Sequence, residues 1–255
     1  MTLILIELQK WKRSKIVGGI IFLTLLLGIY TIDRACSISR SSPMMDSFGD
    51  LYTLAFKNLT SLYLPIVLGM FSTTLFFDEL KSDTLKSLLI IPISKSQLFF
   101  TKLVVVILIS LSMCVFMFST CALGGFIAGD FPDMNVKTLL EAALLHLTGG
   151  ILLPIAMLPI IFLASLSKGY LLPITATLLY LVPVVIAPSY LMGIHPLASV
   201  MGIYSHISSA ATEMVVSWIG GSLITIRPIV CIYSLLLIST VFTILSIIVL
   251  KKQNY

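Results

Sequence analysis

Charge is what this sequence has least of. Only 11% of its 255 residues are Asp, Glu, Lys or Arg and 58% are hydrophobic, where a soluble domain carries about 25% charged residues. The scarcity is patterned. Stretches 16–32, 59–77, 103–128, 142–165, 170–187 and 229–250 contain no Asp, Glu, Lys or Arg. Each is long enough to cross a hydrocarbon core about 30 Å thick. None alternates apolar and polar residues as a barrel strand does, and in lipid each span must satisfy its own backbone polar groups, which leaves the helix. The expected fold is an all-α membrane protein of six transmembrane helices.

Other absences narrow the function. With no ionisable carboxylate or amine inside a span, the chain has no proton relay of the kind that drives pumps. No G-x-x-x-x-G-K-[ST] phosphate loop occurs, so nucleotide chemistry has no seat here. Neither a Gly-x-Ser-Gly nucleophile site nor a Glu-Glu pair with a downstream His is present, which sets aside the intramembrane proteases. Cys36, Cys114, Cys121 and Cys231 match no metal spacing, and three of them lie in spans, where cysteine is a small apolar residue.

The charges that exist are unevenly placed. With the N-terminus inside, Lys10, Lys12, Arg13, Lys15, Lys81, Lys86, Lys95, Lys102, Lys168, Lys251 and Lys252 are cytoplasmic, and only Arg34, Arg40, Lys57, Lys137 and Arg227 are outside. The positive-inside rule therefore places both termini in the cytoplasm. The net charge of +5 is explained by anionic lipid headgroups and requires no nucleic acid. The stretch 188–228 is moderately apolar but holds Glu213, and it reads as an outer segment containing a re-entrant helical pair.

Residues 1–15 carry Ile4, Leu5, Leu8 and Trp11 at helical spacing, with Glu7, Lys10 and Arg13 elsewhere, as in a helix lying in the membrane interface. Asp33 and Arg34 follow the first span where a small-residue cleavage site would stand, so the segment is expected to remain attached. Between the second and third spans, 78–101 places Leu85, Leu88, Leu89 and Pro92 at i, i+3, i+4 and i+7, an apolar face suited to a groove on a cytoplasmic partner. Ser94 and Gln97 form a capping-box pattern that starts a new helix after Pro92.

This segment resembles the cytoplasmic loop of ABC-2 type permeases, the membrane subunits of ATP-driven exporters. The matching positions are Glu79, Thr84, Leu88, Leu89, Pro92, Ser94, Lys95 and Lys102, with Asp83 where glycine is usual. The six spans, the interfacial helix and the long outer segment extend the resemblance, which implies a type V exporter-like architecture over 1–255 as one transmembrane domain. It further implies ATPase coupling through Glu79, Thr84, Leu85, Leu88, Leu89, Pro92, Ser94 and Lys95. An ABC ATPase would be a separate chain holding ATP and Mg, with no cofactor in this one. A second permease subunit, identical or related, would complete the assembly in the lipid bilayer. The opening Glu-Leu-Gln-Lys-Trp-Lys-Arg-Ser-Lys is similar to that of permeases protecting bacteria against bacitracin or lantibiotics, which implies a hydrophobic or amphiphilic peptide substrate.

Candidates for the transport path are the prolines of the fourth and fifth spans, Pro154, Pro159, Pro173 and Pro183, where a freed carbonyl allows bending. His146 is the one Asp, Glu, Lys, Arg or His within a span, available to bond across helices or to meet a polar substrate. His195, His206 and Glu213 share the outer segment without a zinc spacing. The competing class is an ion-coupled transporter using broken-helix carbonyls, which accounts for the prolines but leaves 78–101 unexplained.

Overall fold

A computed structural model describes residues 7, 9, 15–41, 47–81, 95–129, 131–167, 169–220 and 227–252. All regular structure among them is helical. In chain order the elements are α1 (Lys15–Ser41), α2 (Phe48–Asn58), a π-turn (Leu59–Tyr63), α3 (Leu64–Lys81), α4 (Lys95–Ala128), α5 (Val136–Ala156), α6 (Leu158–Leu166), α7 (Leu171–Ile186), α8 (Pro188–Leu191), α9 (Pro196–Tyr204), α10 (Ser209–Trp218) and α11 (Pro228–Lys252). Of the expected interfacial helix 1–15, Glu7, Gln9 and Lys15 fall within the described residues, and all three are helical, Lys15 as the first residue of α1.

Among the described residues, five helical stretches have the length and apolarity to cross a membrane: Ile16–Ser37, Phe48–Phe77, Ser96–Ala128, Val136–Ala156 and Pro228–Leu250. The remaining expected span, the fifth at 170–187, corresponds to α7, a shorter apolar helix of 16 residues. The central element is Phe48–Phe77, with 72% of its most apolar window buried, against 22% for Ile16–Ser37 and 17% for Pro228–Leu250. α4 packs on α1, α2 and α5, α3 on α6 and α7, and α11 on α6 and α9.

Helix boundaries depart from the charge-free runs for identifiable reasons. The second crossing begins at Phe48 rather than residue 59, because its first turn is doubly capped. Ser47 Oγ accepts from the Asp50 amide, and the Asp133 carboxylate accepts from the Phe48 and Gly49 amides at 2.6 and 3.1 Å. A carboxylate there also faces the positive end of the helix dipole. Lys57 lies over the Trp218 ring at 5.5 Å, so the helix carries its two charges at capped or stacked positions. α5 opens with a capping box, Asn135 Oδ1 accepting from the Lys137 and Thr138 amides while the Asn135 amide donates to Thr138 Oγ1. The expected run 142–165 is two helices, α5 and α6, separated at Met157.

Hydroxyls inside the bundle are handled locally. Ser72, Thr73 and Thr74 donate to the carbonyls of Leu68, Gly69 and Phe71 at 2.6 to 2.8 Å, so polar side chains enter an apolar core with their donors bonded.

Candidate functional site

The segment 78–101 divides at the limits of the described structure. Thr84, Leu85, Leu88, Leu89, Pro92 and Ser94 lie outside the described residues, whereas Glu79 belongs to the end of α3 and Lys95 to the start of α4. What the structure describes is the frame that holds the segment. Lys102, 1% exposed, donates from Nζ to the Leu75 carbonyl and lies 4.6 Å from the centre of the Phe76 ring. Phe76 packs on Phe99 with ring centres 6.3 Å apart. An amine expected on a cytoplasmic surface is thus buried between two helices. Its ammonium is accommodated by a carbonyl and the negative face of an aromatic ring.

The proline-bearing hairpin is built from α5, α6 and α7. Pro154 and Pro183 are inside α5 and α7. Pro159 is the second residue of α6, and Pro173 is the third of α7. At these last two positions the amide has no intrahelical partner to lose, so Pro159 starts a helix and Pro173 frees no carbonyl in its own. At the break, the Ile160 and Ile161 amides both donate to the Met157 carbonyl at 3.0 Å, which deprives Ala156 of its usual amide. The Tyr180 hydroxyl on α7 replaces it, donating to the Ala156 carbonyl at 2.8 Å. The Tyr180 ring packs on His195 at 4.3 Å, linking the break to the segment before α9. Burial holds the His195 imidazole down at about 4, below its ordinary 6.5, because charge is disfavoured away from water.

His146 is central in α5 and fully buried. Phe56 and Phe118 close on it with ring centres 5.2 and 6.0 Å away, and Nδ1 donates to the Ala142 carbonyl at 2.8 Å. It therefore bonds within its own helix and faces no open path in this conformation. His195, His206 and Glu213 do not converge, and among the described residues no three His, Cys, Asp or Glu side chains are grouped to hold a metal ion. Two apolar grooves do open on the surface. One of about 320 Å³ lies between α1 and α4, lined by Val17, Ile20, Ile109 and Met113. Another of about 370 Å³ lies beside α7, lined by Leu62, Ile66, Leu178 and Val182. Such surfaces suit acyl chains or apolar side chains and have no chemistry for cleaving bonds.

The sequence pattern of the ABC-2 family transporter protein is found over residues 3–184. The chain belongs to that family. As an ABC-2 permease it is a multi-pass membrane protein and the membrane component of an ABC transporter, and the family implies an ABC ATPase as partner. Membership also decides against the ion-coupled class. The permease is similar to the bacitracin transport permease protein BCRB of Bacillus licheniformis, 29% identical over 173 residues that cover 61% of this chain and 83% of the relative. The family match ends within α7, so α8 to α11 lie beyond it.

Sequence reasoning missed Tyr180, Thr60 and Asp133. Tyr180 is one aromatic in an apolar run, with no local mark of its acceptor 24 residues earlier. The adjacent hydroxyls Thr60 and Ser61 in an otherwise apolar stretch were the available signal for the π-turn.

Proposed function

We propose that this permease is the membrane subunit of an ATP-driven exporter that expels a peptide antibiotic of the bacitracin or lantibiotic class from the bacterial membrane. The observation that carries the reading is the likeness to a bacitracin transport permease across most of that protein's length. In this reading α7 is the fifth of six crossings, both termini are cytoplasmic, and 188–228 is an outer segment. The partner ATPase binds ATP and Mg and docks on 78–101 through Leu85, Leu88 and Leu89. A second permease, identical or related, completes the transporter. Leu88 and Leu89 supply the apolar contact, Glu79 and Lys95 flank it, and Thr84, Pro92 and Ser94 shape the turn between helices. Pro154, Pro159, Pro173 and Pro183 belong to the hairpin that bends, with His146 packed beside it.

The apolar grooves support export of an amphiphilic molecule from the bilayer. The test has two parts. The tagged chain is purified from its native membrane in mild detergent and the eluate searched for a co-purifying ATPase. A strain lacking the permease is then challenged with bacitracin, with a lantibiotic and with an unrelated hydrophobic drug. A near-equal amount of ATPase and selective sensitisation to one peptide class support the proposal. Sensitisation to the unrelated drug alone overturns the peptide assignment.

A further inference from the structure

The helix formed by α2 and α3 is interrupted at Leu59–Tyr63 by a π-turn, in which the Leu64 amide donates five residues back to the Leu59 carbonyl. Such a turn holds one residue more than the α-helical path and is found mostly at functional positions. Here it is fastened from both sides. Thr60 Oγ1 donates to the Phe56 carbonyl at 2.8 Å, an acceptor it shares with the Leu59 amide. The Tyr63 hydroxyl donates to the Ile20 carbonyl on α1 at 3.0 Å, with Thr24 Oγ1 at 3.1 Å.

One turn earlier stands Phe56, fully buried. Its ring is edge-on to His146 and to Tyr204, with centres 5.2 and 4.8 Å away. It fills the notch left by Gly149, where a Cβ would come within 2.5 Å of the ring. Around this ring two buried polar atoms are without a partner, His146 Nε2 on α5 and the Tyr204 hydroxyl on α9. They are chemically complementary. His146 Nδ1 is committed as donor to the Ala142 carbonyl, so in the neutral ring Nε2 is an acceptor, and Tyr204 has a hydrogen to give. Both flank one phenyl ring, and the Tyr204 hydroxyl lies 3.4 Å from the Cβ position of Gly149, one turn along α5 from His146.

We propose that the π-turn is a register switch and Phe56 its wedge. When Leu59–Tyr63 closes to an α-helical path, α2 turns by about 100° relative to α3, the rotation of one helical residue. Phe56 leaves the notch, and the Tyr204 hydroxyl donates to His146 Nε2. One state keeps the packing of Phe56 against His146 and Tyr204; the other gains a buried hydrogen bond that the first lacks. Two packings with opposed gains of this kind behave as discrete alternatives rather than as a continuum. A cavity of about 10 Å³ adjoins the turn, lined by Thr60, Ser61, Pro65, Leu153 and Tyr204. The consequence for the permease is a link between the register of its central crossing and the hold of α5 on α9. It does not depend on which molecule is transported.

The experiment uses the full chain in lipid nanodiscs with 15N-labelled histidine. The chain has three histidines, and the signal lost in His146→Gln assigns His146. Deletion of Ser61 removes the extra residue, and Phe56→Leu withdraws the wedge without altering register. The expected result is an upfield displacement of the His146 Nε2 resonance in each folded variant, abolished when Tyr204→Phe is added. A resonance that stays in place in the folded variants, or a displacement that survives Tyr204→Phe, overturns the proposal. Simple loosening of the core lowers stability without moving that resonance in a Tyr204-dependent way.

Discussion

The Tyr180 hydroxyl donates to the Ala156 carbonyl across 2.8 Å, and that one bond occupies the backbone acceptor exposed by the break between α5 and α6. In lipid an empty carbonyl has no water to turn to, so a break of this kind persists only where a neighbouring helix supplies a donor. Tyr180→Phe keeps the ring and its packing on His195 but leaves the acceptor unmet, a loss of about 1–3 kcal/mol. The expected outcome is a lower thermal midpoint for the detergent-purified protein, while Tyr190→Phe, at an 80% exposed position, leaves it unchanged. Equal midpoints for the two variants would remove Tyr180 from the account of the break.

Gly150 of α5 lies against the backbone of α4 at Leu111. A Cβ at that position would meet the Cα of Leu111 at 3.0 Å, and a main-chain atom cannot swing aside as a side chain can. Gly150→Ala therefore pushes the two helices apart, with a cost of about 1–3 kcal/mol from overpacking. Thermal unfolding of Gly150→Ala beside Gly18→Ala, whose Cβ would meet nothing within 4 Å, measures the difference. The expected order is a clear loss for the first and little change for the second.

Burial of His195 predicts a sign for the response to acid. Its imidazole sits at about 4 in the fold and near 6.5 when exposed. The unfolded chain thus takes up a proton between those values while the folded chain does not, and stability contributed by the neutral ring falls as pH drops from 6.5 towards 4. Above 6.5 both states are neutral and the residue adds no slope. His195→Gln should flatten the thermal midpoint between pH 6.5 and 4 relative to wild type. A parallel decline in both proteins would assign the acid response to other groups.

For the proposed ATPase contact, Leu88→Asp and Leu89→Asp place a carboxylate in an apolar groove, at a cost of several kcal/mol if it remains charged. The expected outcome is loss of the co-purified ATPase with the spans still inserted, read by pull-down and by membrane fractionation. Full retention of ATPase by both variants contradicts docking through this face.

Much of the architecture is legible from local composition. The charge-free runs led to helices at 16–32, 103–128 and 229–250 because hydropathy is a property of neighbouring residues, and each lies within an observed helix. The beginning of the second crossing was not legible. Its first turn is capped by Asp133, 85 residues from Phe48, and no feature of residues 48–58 announces a cap from so far along the chain. His146 illustrates the same limit at the level of a site. Its titratable ring left open a bond across helices or a contact with substrate, and only the approach of Phe56 and Phe118 showed it to be enclosed.

The sequence alone was enough to place this protein in the membrane, because long runs without charge have no stable place in water and charge has none in hydrocarbon. It also carried the loop motif that pointed to an ABC-2 permease. The tertiary structure alone decided that Lys102 is buried against Leu75 and Phe76, that Tyr180 closes the break at Met157, and that Phe56 stands beside His146 and Tyr204. Each of these depends on a donor, acceptor or ring brought in from a distant part of the chain, and such partners are assigned by helix packing, which a local pattern of apolar residues leaves open.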